Sequence, residues 1–104
     1  MKKFIRVSYK ASSDLSKNEL QDELDSICSK LDNEYNSLIE KSNCFIQAFS
    51  LGLDDNDNLV DIYLNVIGTN YKLIDSTIRL VINEIKNSKI NVLNQTAKAK
   101  GDIL

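Results

Sequence analysis

A chain of 104 residues with a net charge of −2 is one domain in size, with room for a single hydrophobic core and no overall charge bias. It has no histidine, which excludes Ser-His-Asp and Cys-His catalysis, most zinc sites and histidine phosphotransfer. Proline is absent and glycine occurs three times, so long linkers and disordered tails are not expected; a single domain over 1–104 is.

The segment Met1-Lys2-Lys3-Phe4-Ile5-Arg6-Val7 starts as a signal peptide does, but Tyr9, Lys10 and Ser12 replace the apolar region that must follow. No apolar run approaches the ~20 residues of a membrane span. A cytoplasmic protein without a membrane partner is therefore expected. In that setting Cys28 and Cys44 read as reduced, buried, small apolar residues.

Phe4 to Lys10 alternates as a strand, with Ile5, Val7 and Tyr9 on its core face and Phe4, Arg6, Ser8 and Lys10 on the other. Ala11 to Asp14 connects it to a helix. Ser16 and Glu19 have capping-box spacing, and Leu15 and Leu20 are placed as a hydrophobic staple. Leu20, Leu24, Ile27, Cys28, Leu31, Tyr35, Leu38 and Ile39 then form one amphipathic stripe. Uninterrupted through Lys41, this helix would be ~37 Å long, so Asp32-Asn33 is a place for a break.

A β-hairpin follows. Its first strand runs from Cys44 to Leu51 and is apolar on both faces, which leaves its register open. Its second strand alternates Val60, Ile62, Leu64 and Val66 against Asp61, Tyr63 and Asn65. The Asp/Asn-rich stretch Asp54 to Asn58 is a turn. Thr69-Asn70 opens a second helix with the stripe Tyr71, Ile74, Ile78, Val81, Ile82 and Ile85, and Asn87-Ser88 closes it. A last strand starts near Ile90, with Val92 on the same face and Asn91, Leu93 and Gln95 on the other. Its pattern weakens from Thr96 to Leu104, where the chain either extends the strand or frays.

The order β-α-β-β-α-β, with two one-sided amphipathic helices, predicts an α+β domain. Both helices cover one face of a four-stranded antiparallel sheet in the ferredoxin-like split βαβ arrangement, order 4-1-3-2. That fold names no function.

Charge is unevenly placed. Residues 1–10 carry net +4, 14–42 net −5, 54–61 net −4 and 71–104 net +3. In the predicted fold Asp14, Glu19, Asp22, Glu23 and Asp25 share one end of the sheet with Asp54, Asp55 and Asp57. Lys2, Lys3, Lys98 and Lys100 gather at the other. Acids in the first turns of a helix also suit its dipole, and Asp suits a turn.

Chemical motifs fail one by one. Asp54-x-Asn56-x-Asn58 starts like a calcium loop, but Leu59 and Asn65 stand where glycine and glutamate are needed. No metal and no cofactor is expected. RNA-recognition modules on this fold stack bases on strand aromatics and need basic and glycine residues on the third strand. This chain offers Asp61, Tyr63 and Asn65 there, so nucleic acid is not an expected partner. Acylphosphatase chemistry needs a Gly-rich, Arg-bearing loop after the first strand, and Tyr9-Lys10-Ala11-Ser12-Ser13 has no glycine. Small-molecule regulatory domains of this topology usually have a glycine in the same turn. The carboxylate pairs Asp22/Glu23 and Asp54/Asp57 read as solvated, and Lys41, Lys72 and Arg79 form no catalytic constellation.

The expectation is thus a non-enzymatic bacterial interaction protein: a small inhibitor or immunity protein that occludes a basic protein partner such as a nuclease toxin. Its partner-binding residues would be Asp54, Asp55, Asp57, Asp61, Glu19, Asp22 and Glu23, with Tyr63 or Phe49 as an apolar anchor. Two alternatives stay open. One is a regulatory or ligand-binding homodimer joined through the uncovered sheet face, which carries Phe4, Tyr63 and Ile67. The other is a phage anti-defence protein.

Overall fold

The computed structural model describes residues 2–34, 45–52 and 59–103, with side chains omitted at 32–34, 45 and 47–52. Its elements are β1 (Lys2–Ser12), α1 (Lys17–Glu34), β2 (Phe45–Gly52), β3 (Leu59–Gly68), α2 (Tyr71–Lys86) and β4 (Asn91–Ile103). The strands form one antiparallel sheet in the order β2-β3-β1-β4, which is the predicted 4-1-3-2.

Local chemistry sets the helix starts. Ser16 caps α1: its Oγ accepts from the Glu19 N–H at 3.3 Å and its carbonyl from the Leu20 N–H at 2.8 Å. One turn earlier the buried Ser13 Oγ accepts from the Leu15 N–H at 3.1 Å, which tightens the exit from β1. Leu20 is buried and Leu15 packs against the core, as a staple requires. Residues 35–44, and with them the helical continuation expected from Tyr35 to Lys41 and the core position expected for Cys44, lie outside the described residues.

Asn70 caps α2, accepting from the Leu73 N–H at 2.9 Å. Ser88 closes it: its hydroxyl donates to the Ile85 carbonyl at 2.6 Å and accepts from the Ile90 N–H at 3.1 Å.

The core lies on the helix side of the sheet. Ile5, Val7 and Ala11 of β1 and Val60, Ile62, Leu64 and Val66 of β3 are buried there. Leu20, Leu24, Ile27 and Leu31 of α1 and Ile74, Ile78, Val81 and Ile85 of α2 cover them. Alternation on the strands and three-or-four spacing on the helices direct all these residues to one layer. Cys28 is half-buried beside that layer. Thr77, a polar residue inside the stripe, is buried and donates its hydroxyl to the Leu73 carbonyl at 2.9 Å.

The register of β2 is settled by Ile46, which is buried opposite Val66. Ala48 and Ser50 therefore register with the core-side residues Leu64 and Ile62, and Phe45, Phe49 and Leu51 with Ile67, Tyr63 and Asp61.

β4 extends to Ile103 rather than fraying. Its pairing with β1 jumps twice, from Ala11↔Val92 to Lys10↔Asn94 and from Tyr9↔Gln95 to Ser8↔Ala97. Leu93 and Thr96 are thus extra residues in one-residue bulges. Each bulge inverts the alternation, so Gln95 registers with helix-side Tyr9, against the expectation that it shares a face with Asn91. The doubled inversion is also why the sequence pattern dissolves after Gln95.

Candidate functional site

β1 ends, β2 ends and β3 begins at one end of the sheet, since Ser12 pairs with Leu59 and Gly52 with Val60. The β1–α1 connection leaves from that end. Asp14, Glu19, Asp22 and Asp25 are exposed there or on the first turns of α1, and Glu23 is half-buried. Asp25 accepts from the Gln21 side chain at 3.0 Å. Among the described residues no ion pair engages Asp14, Glu19, Asp22 or Glu23. Asp54, Asp55 and Asp57 lie outside the described residues, while the strands flanking them reach this same end.

Asp61 does not join that group as an uncommitted acid. It faces the uncovered side of the sheet and pairs with Lys10, its cross-strand neighbour, at 2.9 Å. Tyr63 lies two residues further on, half-buried on the same face. Phe49 registers opposite Tyr63, and its side chain lies outside the described set. This face also carries Phe4, Arg6, Ser8 and Ile67, with Arg6 6.0 Å from the Phe4 ring. Ser8 Oγ is 3.0 Å from Thr96 Oγ1. The face is mixed in chemistry rather than a plain apolar patch.

The opposite end is not the simple basic pole that the charge layout predicts. Lys3 donates to Asp102 at 2.7 Å and Lys98 pairs with Asp75 at 3.3 Å. Lys3 and Lys100 each lie 5.0 Å from the centre of the Tyr71 ring, whose hydroxyl donates to Asp102 at 3.5 Å. The hydrogen bond to Asp102 holds the Lys3 ammonium above its ordinary pKa. The same bond from Lys3 holds the Asp102 carboxyl below the usual carboxylate range.

A fourth feature escaped the sequence. Arg79, Asn83 and Lys86 of α2 rim a depression of about 240 Å³ floored by Tyr9, Ile78 and Ile82. Burial pushes the Tyr9 phenol above its ordinary pKa. The spacing of Arg79, Asn83 and Lys86 along one helix flank was readable. Their meeting with Tyr9, some 70 residues earlier in the chain, follows only from the packing of α2 over β1.

Among the described residues no group of three or more Cys, Asp or Glu is placed to hold a metal ion. No helix among them is long and apolar enough to cross a membrane.

Sheet order, antiparallel pairing and two helices on one face define the ferredoxin-like α+β class. Solved structures agree. A de novo designed protein with ferredoxin fold, LFR1 1, matches at a TM-score of 0.64 with 15% identity, over 89% of this chain and 82% of its own. A structural-genomics protein, YJCS, matches at 0.50 with 15% identity, over 97% and 99%. A dimeric ferredoxin-like protein from an uncultured marine organism matches at 0.46 with 6% identity over 97% and 94%, too distant for anything to be carried across. No family model and no curated protein matches the sequence.

Proposed function

We propose that the chain is a non-enzymatic interaction protein that holds a basic protein against the end of the sheet where α1 begins. The observation that supports this reading is the set Asp14, Glu19, Asp22 and Asp25: exposed acids without an ion pair among the described residues. Glu23 lies beside them. The strands that flank Asp54, Asp55 and Asp57 in sequence, β2 and β3, end and begin at that same end. Such a surface attracts a cationic partner over roughly a Debye length, about 8–10 Å, and raises its association rate. The specific form of the proposal is an inhibitor or immunity protein that covers the cationic active site of a nuclease toxin, the carboxylates standing where phosphates would lie. A phage protein that blocks a defence nuclease would use the same physics.

The test compares wild-type protein with a charge-reversed variant, Asp22→Lys/Asp25→Lys/Asp54→Lys/Asp57→Lys, in parallel native pull-downs. Association kinetics of the captured protein then follow. The expected result is capture of one basic protein by the wild type, an on-rate that falls steeply with salt, and loss of both in the variant. Equal capture by both proteins would remove the acidic end from the mechanism. Asp61→Asn is the control, since Lys10 already engages that carboxylate; it should leave the on-rate unchanged.

A second reading, a homodimer joined through the sheet face opposite the two described helices, is favoured by Phe4, Tyr63 and Ile67, half-buried on the side that neither α1 nor α2 covers. A monomeric mass by light scattering at high protein concentration sinks it.

A further inference from the structure

The depression between α2 and Tyr9 is a different kind of place from the acidic end. Its floor is apolar: the Tyr9 ring, Ile78 and Ile82. Its rim is cationic and hydrogen-bonding: Arg79, Asn83 and Lys86, one helix flank at steps of four and three. No acid lines it. The two acids nearest along α2 are committed elsewhere, Asp75 to Lys98 at 3.3 Å and Glu84 to Lys30 of α1 at 3.0 Å. Among the described residues no ion pair engages Arg79 or Lys86. The sheet beneath is specialised as well. Gln95, opposite Tyr9, is bracketed by the Leu93 and Thr96 bulges, and bulges gather where a strand has to re-aim its side chains.

We propose that this depression binds a small organic anion. Its carboxylate or phosphate head sits between Arg79 and Lys86, and its flat or branched apolar body lies on Tyr9, Ile78 and Ile82. An apolar floor with a few convergent polar groups is the common anatomy of small-molecule sites. Arg79 supplies a planar fork suited to two oxygens, Lys86 a point charge, and Asn83 a neutral donor between them. The negative end of the α2 dipole opposes an anion near Lys86, but at roughly half an elementary charge it is outweighed by two full cations. Tyr9 also carries a hydroxyl, a donor that the two isoleucines lack. The site shares no residue with the set proposed for the protein partner, because its lining comes from α2 and Tyr9.

The experiment is a backbone-amide NMR titration of the full chain at constant ionic strength with phenyl phosphate, benzoate, inorganic phosphate and neutral benzyl alcohol. Phenyl phosphate or benzoate is expected to move the Tyr9, Ile78, Arg79, Ile82, Asn83 and Lys86 amides saturably, with a dissociation constant of about 1 mM or tighter. The variant R79Q/K86Q should keep its dispersed spectrum and lose at least about tenfold in affinity. Tyr9→Phe should lose less, and benzyl alcohol should leave the amides unmoved. Absence of saturable shifts with both organic anions overturns the proposal, as does unaltered binding by R79Q/K86Q. Inorganic phosphate binding as tightly as phenyl phosphate overturns the role given to the apolar floor.

Discussion

The ring of Phe4 lies across Gly101. The two are cross-strand partners in the β1–β4 pair, and a methyl group at Gly101 would stand 2.9 Å from Phe4 Cε1 and 3.2 Å from Cζ. Glycine on this outer strand is thus covered by the aromatic ring of its neighbour, an arrangement that helps pin strand register. Gly101→Ala should destabilise the wild type by about 0.5–1.5 kcal/mol, because the ring must leave its position. In a Phe4→Ala background the same change should be neutral or stabilising, since alanine then only narrows the unfolded ensemble. Urea unfolding of the two single variants and the double variant closes the cycle. Additive effects would show that the ring is not held by the glycine.

The two helix caps should differ in strength. Asn70 Oδ1 accepts from Leu73 at 2.9 Å, whereas Ser16 Oγ accepts from Glu19 at 3.3 Å. The longer bond is near the outer limit of useful geometry. Asn70→Ala should cost about 1 kcal/mol and Ser16→Ala a few tenths, read from urea midpoints at unchanged slope. Equal losses would mean that Ser16 contributes by some route other than its cap.

How much of this was legible follows the physics of each element. β3 and α2 announced themselves, because Val60 to Val66 alternate strictly and Ile74 to Ile85 repeat at helical spacing. With those two elements and β1, the sheet order followed from handedness and connection rules. β2 was opaque because both of its faces are apolar, and only the burial of Ile46 against Val66 chooses between registers. β4 misled at Gln95, since a bulge is an insertion against a partner strand and leaves no mark in local periodicity. The same holds for charge. The residues of the acidic end were countable in sequence. That Lys10 takes Asp61, and that Asp102 and Asp75 take Lys3 and Lys98, required the pairing of distant strands and the seat of α2.

Lys3, Tyr71 and Asp102 tie the end of β4 to β1 and α2. The sign of its pH dependence follows from the two pKa directions. Asp102 is held low, so its contribution is present above the ordinary carboxylate range, near pH 4, and is lost as pH falls through its native value. Lys3 is held high, so its contribution is present below the ordinary lysine range and is lost as pH rises through its native value. The stability difference between wild type and Asp102→Asn should therefore be flat around neutral pH and shrink toward both extremes. Both groups are solvated, so it should also shrink with added salt. A difference that persists below about pH 2, where carboxylates are protonated, would mean that Asp102 acts through packing rather than charge.

Tyr9 should mark itself in alkaline titration. Its phenol is pushed upward by burial between β1 and α2. The unfolded chain ionises Tyr9 at the ordinary value, near pH 10, whereas the folded chain does so later. Between those two points the native state binds more protons than the unfolded state, so Tyr9 lowers stability progressively as pH rises through that window. Tyr9→Phe removes this penalty. The variant should lose less stability than wild type on going from neutral pH to above about pH 10, although Lys3 weakens both proteins there equally. Phenolate absorbance supplies the independent readout: a component that ionises above the ordinary value, near pH 10, in the native protein should vanish in Tyr9→Phe. If the lost component titrates at the ordinary phenol value, near pH 10, Tyr9 is solvated in solution, and the floor of the depression is open to water rather than closed by α2.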